Sequence, residues 1–236
     1  MHEFSKIDAL IPARGGSKRI PYKNMRALAE HPLIYWTIKA AKESGIFNDV
    51  VVSTDDAMTK EYCASLCSVI DRPKEYAIDT SPDVDWIKHY MQNFAHADFF
   101  MILRPTSPFR TAQSIQRAWR CFAHDGYADS LRAVVPVKQH PGKMWTLCNN
   151  RITPLMNYPR INGQPSYNLP TQLLPEVYIQ SACIEIGHEN NILARNTVSG
   201  RSIMPFFMDD LESFDLNTLE DWILAEHYIK EGIVKL

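Results

Sequence analysis

Glycine is scarce in this chain, nine residues in 236, so any adjacent pair is informative, and Gly15-Gly16 is such a pair. Cysteine is sparse too: Cys63, Cys67, Cys121, Cys148 and Cys183 are an odd, scattered set. That excludes a disulfide framework, and no second pair or histidine cluster completes a zinc site. Cys63 and Cys67 stand one helical turn apart, as on a buried face, and reduced structural cysteines point to a cytoplasmic protein. There is no excess charge of one sign: 25 Lys+Arg face 27 Asp+Glu, a net charge of -2. Nucleic acid is thereby excluded as the main partner. No apolar run approaches the roughly 18 residues of a membrane span, Phe99 to Leu103 being far shorter, so no membrane association is expected. Met1 to Lys6 hold His, Glu and Lys where a signal peptide has its apolar core. Repeats, low-complexity tracts and linker-like segments are absent as well.

What is present is an ordinary globular composition, 45% hydrophobic and 22% charged, which excludes disorder. Short apolar runs at Ile7–Ile11, Val50–Val52, Val69-Ile70, Phe99–Leu103 and Leu131–Val137 predict strands. Between them, apolar residues at helical spacing predict helices over Leu33–Ser44 (stopped by Gly45), Met58–Leu66, Ser81–Phe94 and Thr111–Phe122. Ser81-Pro82-Asp83 reads as a helix start, with a hydroxyl cap, a proline and an acid at the positive end of the dipole. Strand and helix alternating at this spacing mean parallel βαβ units, hence a doubly wound, mostly parallel α/β sheet. The period fails between Gln139 and Leu174, where five prolines fall. This stretch is expected to be an inserted extension within one domain spanning 1–236. Strands at Tyr178–Ile186 and Ile203–Met208 and a closing helix at Thr218–Lys230, with Trp222 and Tyr228 in its core face, complete the chain.

The chemistry concentrates after the first strand, in Pro12-Ala13-Arg14-Gly15-Gly16-Ser17-Lys18-Arg19-Ile20-Pro21-Tyr22-Lys23-Asn24. Ligands of doubly wound sheets sit outside the carboxyl ends of the strands. Gly15 and Gly16 let backbone N–H groups approach an anion, Ser17 adds a hydroxyl, and Arg14, Lys18, Arg19 and Lys23 supply the charge a triphosphate would need. The glycine spacing matches neither a Walker loop nor the dinucleotide fingerprint. The bland alternative is a solvated basic turn. Arg104-Pro105-Thr106-Ser107-Pro108-Phe109-Arg110 follows another strand and aims two hydroxyls and two guanidiniums at the same crevice. Asp71-Arg72-Pro73 follows a third. Ser213-Phe214-Asp215-Leu216-Asn217 precedes the last helix; Asp215 is a candidate magnesium ligand, in competition with Asp55, Asp56, Asp209 and Asp210. Asn217 is equally readable as a helix cap. The histidines form no ligand or catalytic pattern.

In order, these segments resemble the acylneuraminate cytidylyltransferase family, the synthetases that activate sialic acid and related nonulosonic acids as CMP-sugars. The likeness runs over nearly the whole chain: Arg14-Gly15-Gly16-Ser17-Lys18 with Pro21 and Lys23-Asn24, then Val52-Ser53-Thr54-Asp55, Arg72-Pro73, Pro105-Thr106-Ser107-Pro108, Pro170 through Pro175, and Asp215. It implies a Rossmann-like nucleotidyltransferase fold, Mg²⁺ as cofactor, and a homodimer formed partly by the 139–174 extension. It implies CTP and an acidic nine-carbon sugar as substrates. Arg14, Gly15, Gly16, Ser17, Asn24, Arg72 and Ser81 would bind the nucleotide, and Arg104, Ser107, Lys143 and Gln172 the sugar side. Lys18 and Lys23 would stabilise the α-phosphate and the leaving pyrophosphate, with Asp215 on the metal.

Three positions depart from the family pattern. Asn217 stands where a second aspartate is usual, Thr171 where an arginine is, and Gln180-Ser181 where the apolar run usually follows Asn-Gly. All fall in the half that serves sugar and metal, so a legionaminate-like or pseudaminate-like acid is as compatible as sialic acid. A 3-deoxy-octulosonate enzyme, a transferase of another nucleotide, and a nucleotide-binding module without activity are the other readings these residues leave.

Overall fold

The computed structural model describes residues 6–95, 97–156 and 158–236, so most of the Met1–Lys6 segment lies outside it. In chain order the elements are β1 (Ile7–Pro12), the short strands β2 (Ala27–Leu28) and β3 (His31–Pro32), α1 (Leu33–Ser44), β4 (Asp49–Thr54), α2 (Ala57–Cys63), β5 (Ser68–Asp71) and α3 (Asp83–Asn93). There follow β6 (Phe99–Ile102), α4 (Ala112–Asp125), β7 (Ser130–Pro136), β8 (Trp145–Cys148), β9 (Arg151–Pro154), β10 (Tyr178–His188), α5 (Glu189–Leu193), β11 (Ile203–Phe207) and α6 (Leu219–Lys230). Two compact units result: Met1–Ala133 with Ser181–Leu236, and Val134–Gln180.

The first unit is built on a sheet of order β11-β7-β10-β6-β1-β4-β5. β5, β4, β1 and β6 run parallel, and β10 lies antiparallel to β6. The chain moves outward from β1 to β4 and β5, then returns to β6 on the other side. The ends of β1 and β6 therefore diverge at a topological switch point, where a crevice forms. The strands are near-continuous apolar runs because both faces are covered. Against one face, Trp86, Ile87 and Tyr90 of α3 pack on Leu10, Val51, Ile70, Phe100 and Ile102. A second cluster joins Ile20 of the loop after β1 to Leu33 and Trp36 of α1, Phe109, Leu216, and Trp222 and Ala225 of α6. That cluster ties the basic loop to the segment carrying Asp215.

Two helix starts differ from the sequence reading. α3 begins at Asp83 with Pro82 in the cap position and no side-chain cap, while the Ser81 hydroxyl donates to the Asp85 carboxylate at 3.2 Å. α6 is capped by Thr218, not Asn217: the Thr218 hydroxyl accepts from the Asp221 N–H, and the Asp221 carboxylate accepts back from the Thr218 N–H. α1 keeps the expected limits, with Gly45 in the left-handed region at φ 65°. Burial pushes the Cys63 thiol up to about 12 and that of Cys67 up to about 11, so neither is a reactive thiolate.

The second unit contains the stretch without periodicity. Its β8–β9 hairpin turns through Asn149 and Asn150 at φ 47° and 60°, the left-handed pair that a tight hairpin turn demands. Trp145 packs on Tyr167 with ring centroids 4.8 Å apart, and buried His140 accepts from the Gly142 N–H. Leu147 and Ile152 stand exposed on the hairpin.

Candidate active site

A cleft of about 600 Å³ opens in the first unit beside the carboxyl ends of β1, β5 and β6. The loop after β1 contributes Arg14, Ser17, Lys18, Arg19, Lys23 and Asn24 to its wall. The segment after β5 contributes Arg72, Tyr76, Ile78, Asp79 and Ser81; α3 gives Asp83 and Trp86, and the loop after β6 gives Arg104, Pro105 and Thr106.

Within the loop Arg14, Lys18 and Asn24 each have a polar partner. Arg14 pairs with Asp79 at 2.7 Å and Lys18 with the other oxygen of the same carboxylate at 2.5 Å. Those two cations hold the Asp79 carboxyl below its usual range, Lys18 contributing most. Asn24 donates to the Arg14 carbonyl at 3.2 Å. The expectation that the glycine pair presents free N–H groups needs correcting at Gly15, whose N–H donates to Asp55 Oδ1 at 2.9 Å. Gly15 is needed for space, since a Cβ there would stand 3.0 Å from that of Asp56, whereas a Cβ at Gly16 would meet nothing within 4 Å. Neither glycine belongs to the wall of the main cleft.

Arg72 is only 6% exposed; its guanidinium donates to the Ser53 hydroxyl and carbonyl, each at 3.1 Å, and lies 4.7 Å above the Trp86 ring. Burial lowers its pKa to about 10. Arg104 donates to both oxygens of Asp83, at 2.5 and 3.4 Å, and to Glu185 Oε1 at 3.0 Å.

Two side chains expected to face the crevice turn inward instead. Ser107 is buried and absent from the cleft wall. Arg110 is buried too, donating to the carbonyls of Arg104 and Cys183 and to the Thr37 hydroxyl. It spends its charge pinning the loop after β6 to β10 and α1. Lys143, at the end of a single turn over Pro141–Lys143, and exposed Gln172, in a turn over Thr171–Leu173, belong to the second unit.

Asp215 carries the structure's clearest unfilled valence. Its Oδ2 accepts from the Asn217 side-chain amide at 2.6 Å, while Oδ1 is buried with no hydrogen-bond partner among the described residues. Lys23 lies beside it, donating to the Leu216 carbonyl at 3.1 Å. Burial lowers the Lys23 pKa, with Asp215 the main opposing influence. The other carboxylates weighed for a metal have structural work: Asp56 caps α2 through the Thr59 N–H, Asp55 holds Gly15, and Asp209 accepts from the N–H groups of Leu211 and Glu212. Asp210 follows Asp209 in the same turn. Among the described residues no three His, Cys, Asp or Glu side chains converge to hold a metal alone. Magnesium is commonly held by one or two carboxylates plus substrate phosphates and water. Asp215 is absent from the wall of the cleft, but it acts on Lys23, which belongs to that wall, and one orphaned carboxylate oxygen completed by substrate phosphates fits that requirement.

Sequence reading missed Asp79, Tyr76 and Trp86, and it missed Glu185 and Arg132 behind Arg104. The one trace of the last two in the sequence is that each is the lone Asp, Glu, Lys or Arg of its strand.

Comparison with known proteins bears on the family and on the fold. A family model described as cytidylyltransferase matches residues 9–142. An N-acylneuraminate cytidylyltransferase of Streptococcus agalactiae serotype III is 31% identical over 91% of the chain and 51% of its own length. A CMP-N,N'-diacetyllegionaminic acid synthase of Legionella pneumophila is 31% identical over 94% of the chain and 95% of its own length. The chain thus spans about half the length of the streptococcal relative and nearly all of the Legionella one. Among solved structures, a CMP:2-keto-3-deoxy-manno-octonic acid synthetase complexed with CTP superposes with a TM-score of 0.71 at 15% identity, over 97% of this chain and 100% of that one. That match speaks for the fold.

Proposed function

The chain belongs to the cytidylyltransferase family, in its acylneuraminate branch, and from that premise we propose that it transfers CMP from CTP to the anomeric hydroxyl of a sialic-acid-like 2-keto sugar acid, releasing pyrophosphate. The observation that carries this reading is the convergence of Arg14, Ser17, Lys18, Arg19, Lys23 and Asn24 on one cleft, with the orphaned Asp215 oxygen adjoining Lys23.

The hydroxyl oxygen attacks the α-phosphorus in line with the departing pyrophosphate, so negative charge grows on the α-phosphoryl oxygens and on the leaving group. Arg14, Lys18 and Lys23 answer that charge from fixed positions, and removing one such contact costs on the order of 10²-fold in rate. Lys23 is the best placed because it is half-buried, so its ammonium is partly desolvated and its charge is screened less than that of an exposed lysine. Ser17 and Asn24 would orient the nucleotide, and Arg72 with Ser81, which line the side of the cleft next to β5, would receive the base. Arg104 holds the acceptor on the β6 side. Asp215 would hold Mg²⁺, which supplies charge neutralisation at the phosphates when bound. Asn217, in place of a second carboxylate, orients Asp215 by donating to it. A cytoplasmic homodimer built partly from the second unit, with Lys143 and Gln172 serving the sugar, completes the reading.

The test is pyrophosphate release with CTP and Mg²⁺ against sialic, legionaminic, pseudaminic and 3-deoxy-octulosonic acids. Release with one of the nine-carbon acids is expected. Release with the octulosonic acid alone reassigns the sugar, and CTP binding with silence across the panel overturns the proposal.

A further inference from the structure

Glu185 lies on β10 directly opposite Ile102, two residues before Arg104, and its side chain is 2% exposed. An ionised carboxylate is expelled from an apolar interior unless cations meet it there. Two do. One oxygen accepts from Arg104 at 3.0 Å, and the other pairs with Arg132 of β7. Arg132 is itself anchored by the Ser199 hydroxyl, which accepts from its Nε and Nη2 at 3.1 and 2.6 Å. On the cleft side Arg104 meets Asp83 at the first turn of α3. The four groups form a row, Arg132–Glu185–Arg104–Asp83, with two charges of each sign, running from the interior between β7 and β10 to the cleft wall.

Only the outer end of the row lines the cleft. The guanidinium of Arg104 is therefore gripped from behind by a carboxylate that has no access to substrate, and from the rim by one that has. We infer that Glu185 is a positioning residue for the acceptor sugar: it fixes the plane and reach of Arg104, which then presents its remaining N–H donors to the carboxylate or hydroxyls of the sugar acid. The proposed function gives this end to the acceptor, because it gives the other two segments of the wall to the nucleotide. The triphosphate loop follows central β1, Arg72 follows β5 on one flank, and Arg104 follows β6 on the other. An arginine held at two points loses less freedom on binding than a free one and discriminates by geometry as well as by charge. The inference rests on the transferase reading above.

The experiment is steady-state turnover of the full chain with CTP and the sugar acid it accepts, comparing wild type with Glu185→Gln. The expected result is a KM for the sugar raised about tenfold, the value of one charge-assisted hydrogen bond set loose, with KM for CTP changed less than twofold. Equal KM values for both substrates in wild type and variant, or equal rises in both, overturn the inference while leaving the transferase reading intact. Absence of turnover in wild type on every sugar acid overturns the transferase reading, and the inference with it. Should the single variant fail to fold, Glu185→Gln combined with Arg132→Gln removes one charge of each sign, and the same split between the two KM values decides.

Discussion

Lys23 shows how a single side chain becomes chemically distinct. Its ammonium is drawn under the loop by the Leu216 carbonyl, burial lowers its pKa, and Asp215 opposes that fall without cancelling it. A lysine whose pKa is lowered surrenders its proton at a lower pH than an exposed one, so activity that needs the cation fades earlier on the alkaline side. Lys23→Arg keeps the charge and resists deprotonation. The alkaline limb of the kcat/KM profile is expected to move to higher pH in that variant, at a lower plateau because the guanidinium is wider. Lys23→Ala is expected to lower kcat/KM by about 10²-fold with the fold retained. Pyrophosphate release measured against pH checks both. At this scale the sequence was legible where charge was locally concentrated, as in Arg14 to Lys23. It did not connect Asp79, Glu185 or Arg132 to the site, because the partners that give them meaning are brought together only by the fold.

At the scale of elements, periodicity served well wherever burial was continuous. Val50–Val52 lie within β4 and Phe99–Ile102 form β6 because no polar residue interrupts them, and α1 runs as its apolar spacing and Gly45 dictate. Helix starts were less legible, since Asn217, Thr218, Ser81 and Asp83 all carry capping chemistry and tertiary contacts choose among them. The choice made at α6 has functional weight. With Thr218 as cap, Asn217 is released to hold Asp215. Thr218→Ala is expected to destabilise the protein by about 1 kcal/mol, read as a lowered Tm. It should also raise the Mg²⁺ concentration needed for half-maximal rate, because the turn presenting Asp215 loosens with the first turn of the helix.

For the whole molecule the two units divide the labour that the sequence also divides. The first holds the cleft, and its composition could be read strand by strand. The second, with its prolines and Asn149-Asn150 turn, has too little periodicity to be read that way. Its exposed Leu147 and Ile152 are apolar side chains that a monomer leaves in water at a cost. Light scattering is expected to return twice the 27.1 kDa of one chain, and Leu147→Asp with Ile152→Asp to return a single chain. A dimer mass unchanged by those substitutions would remove the hairpin from the interface.

Asp79, shared between Arg14 and Lys18, gives the basic wall of the cleft a counter-anion of its own. On the proposed function, a triphosphate arriving there would trade places with a tethered carboxylate. Part of the charge it meets is thus neutralised beforehand by the protein and not by mobile ions from solution. Fewer counterions are set free on binding than the number of basic side chains suggests, and affinity for the nucleotide declines only gently as salt is added. Small inorganic anions, offering less charge than Asp79 already provides, gain little by entering. The site stays free for a ligand carrying several negative charges at once.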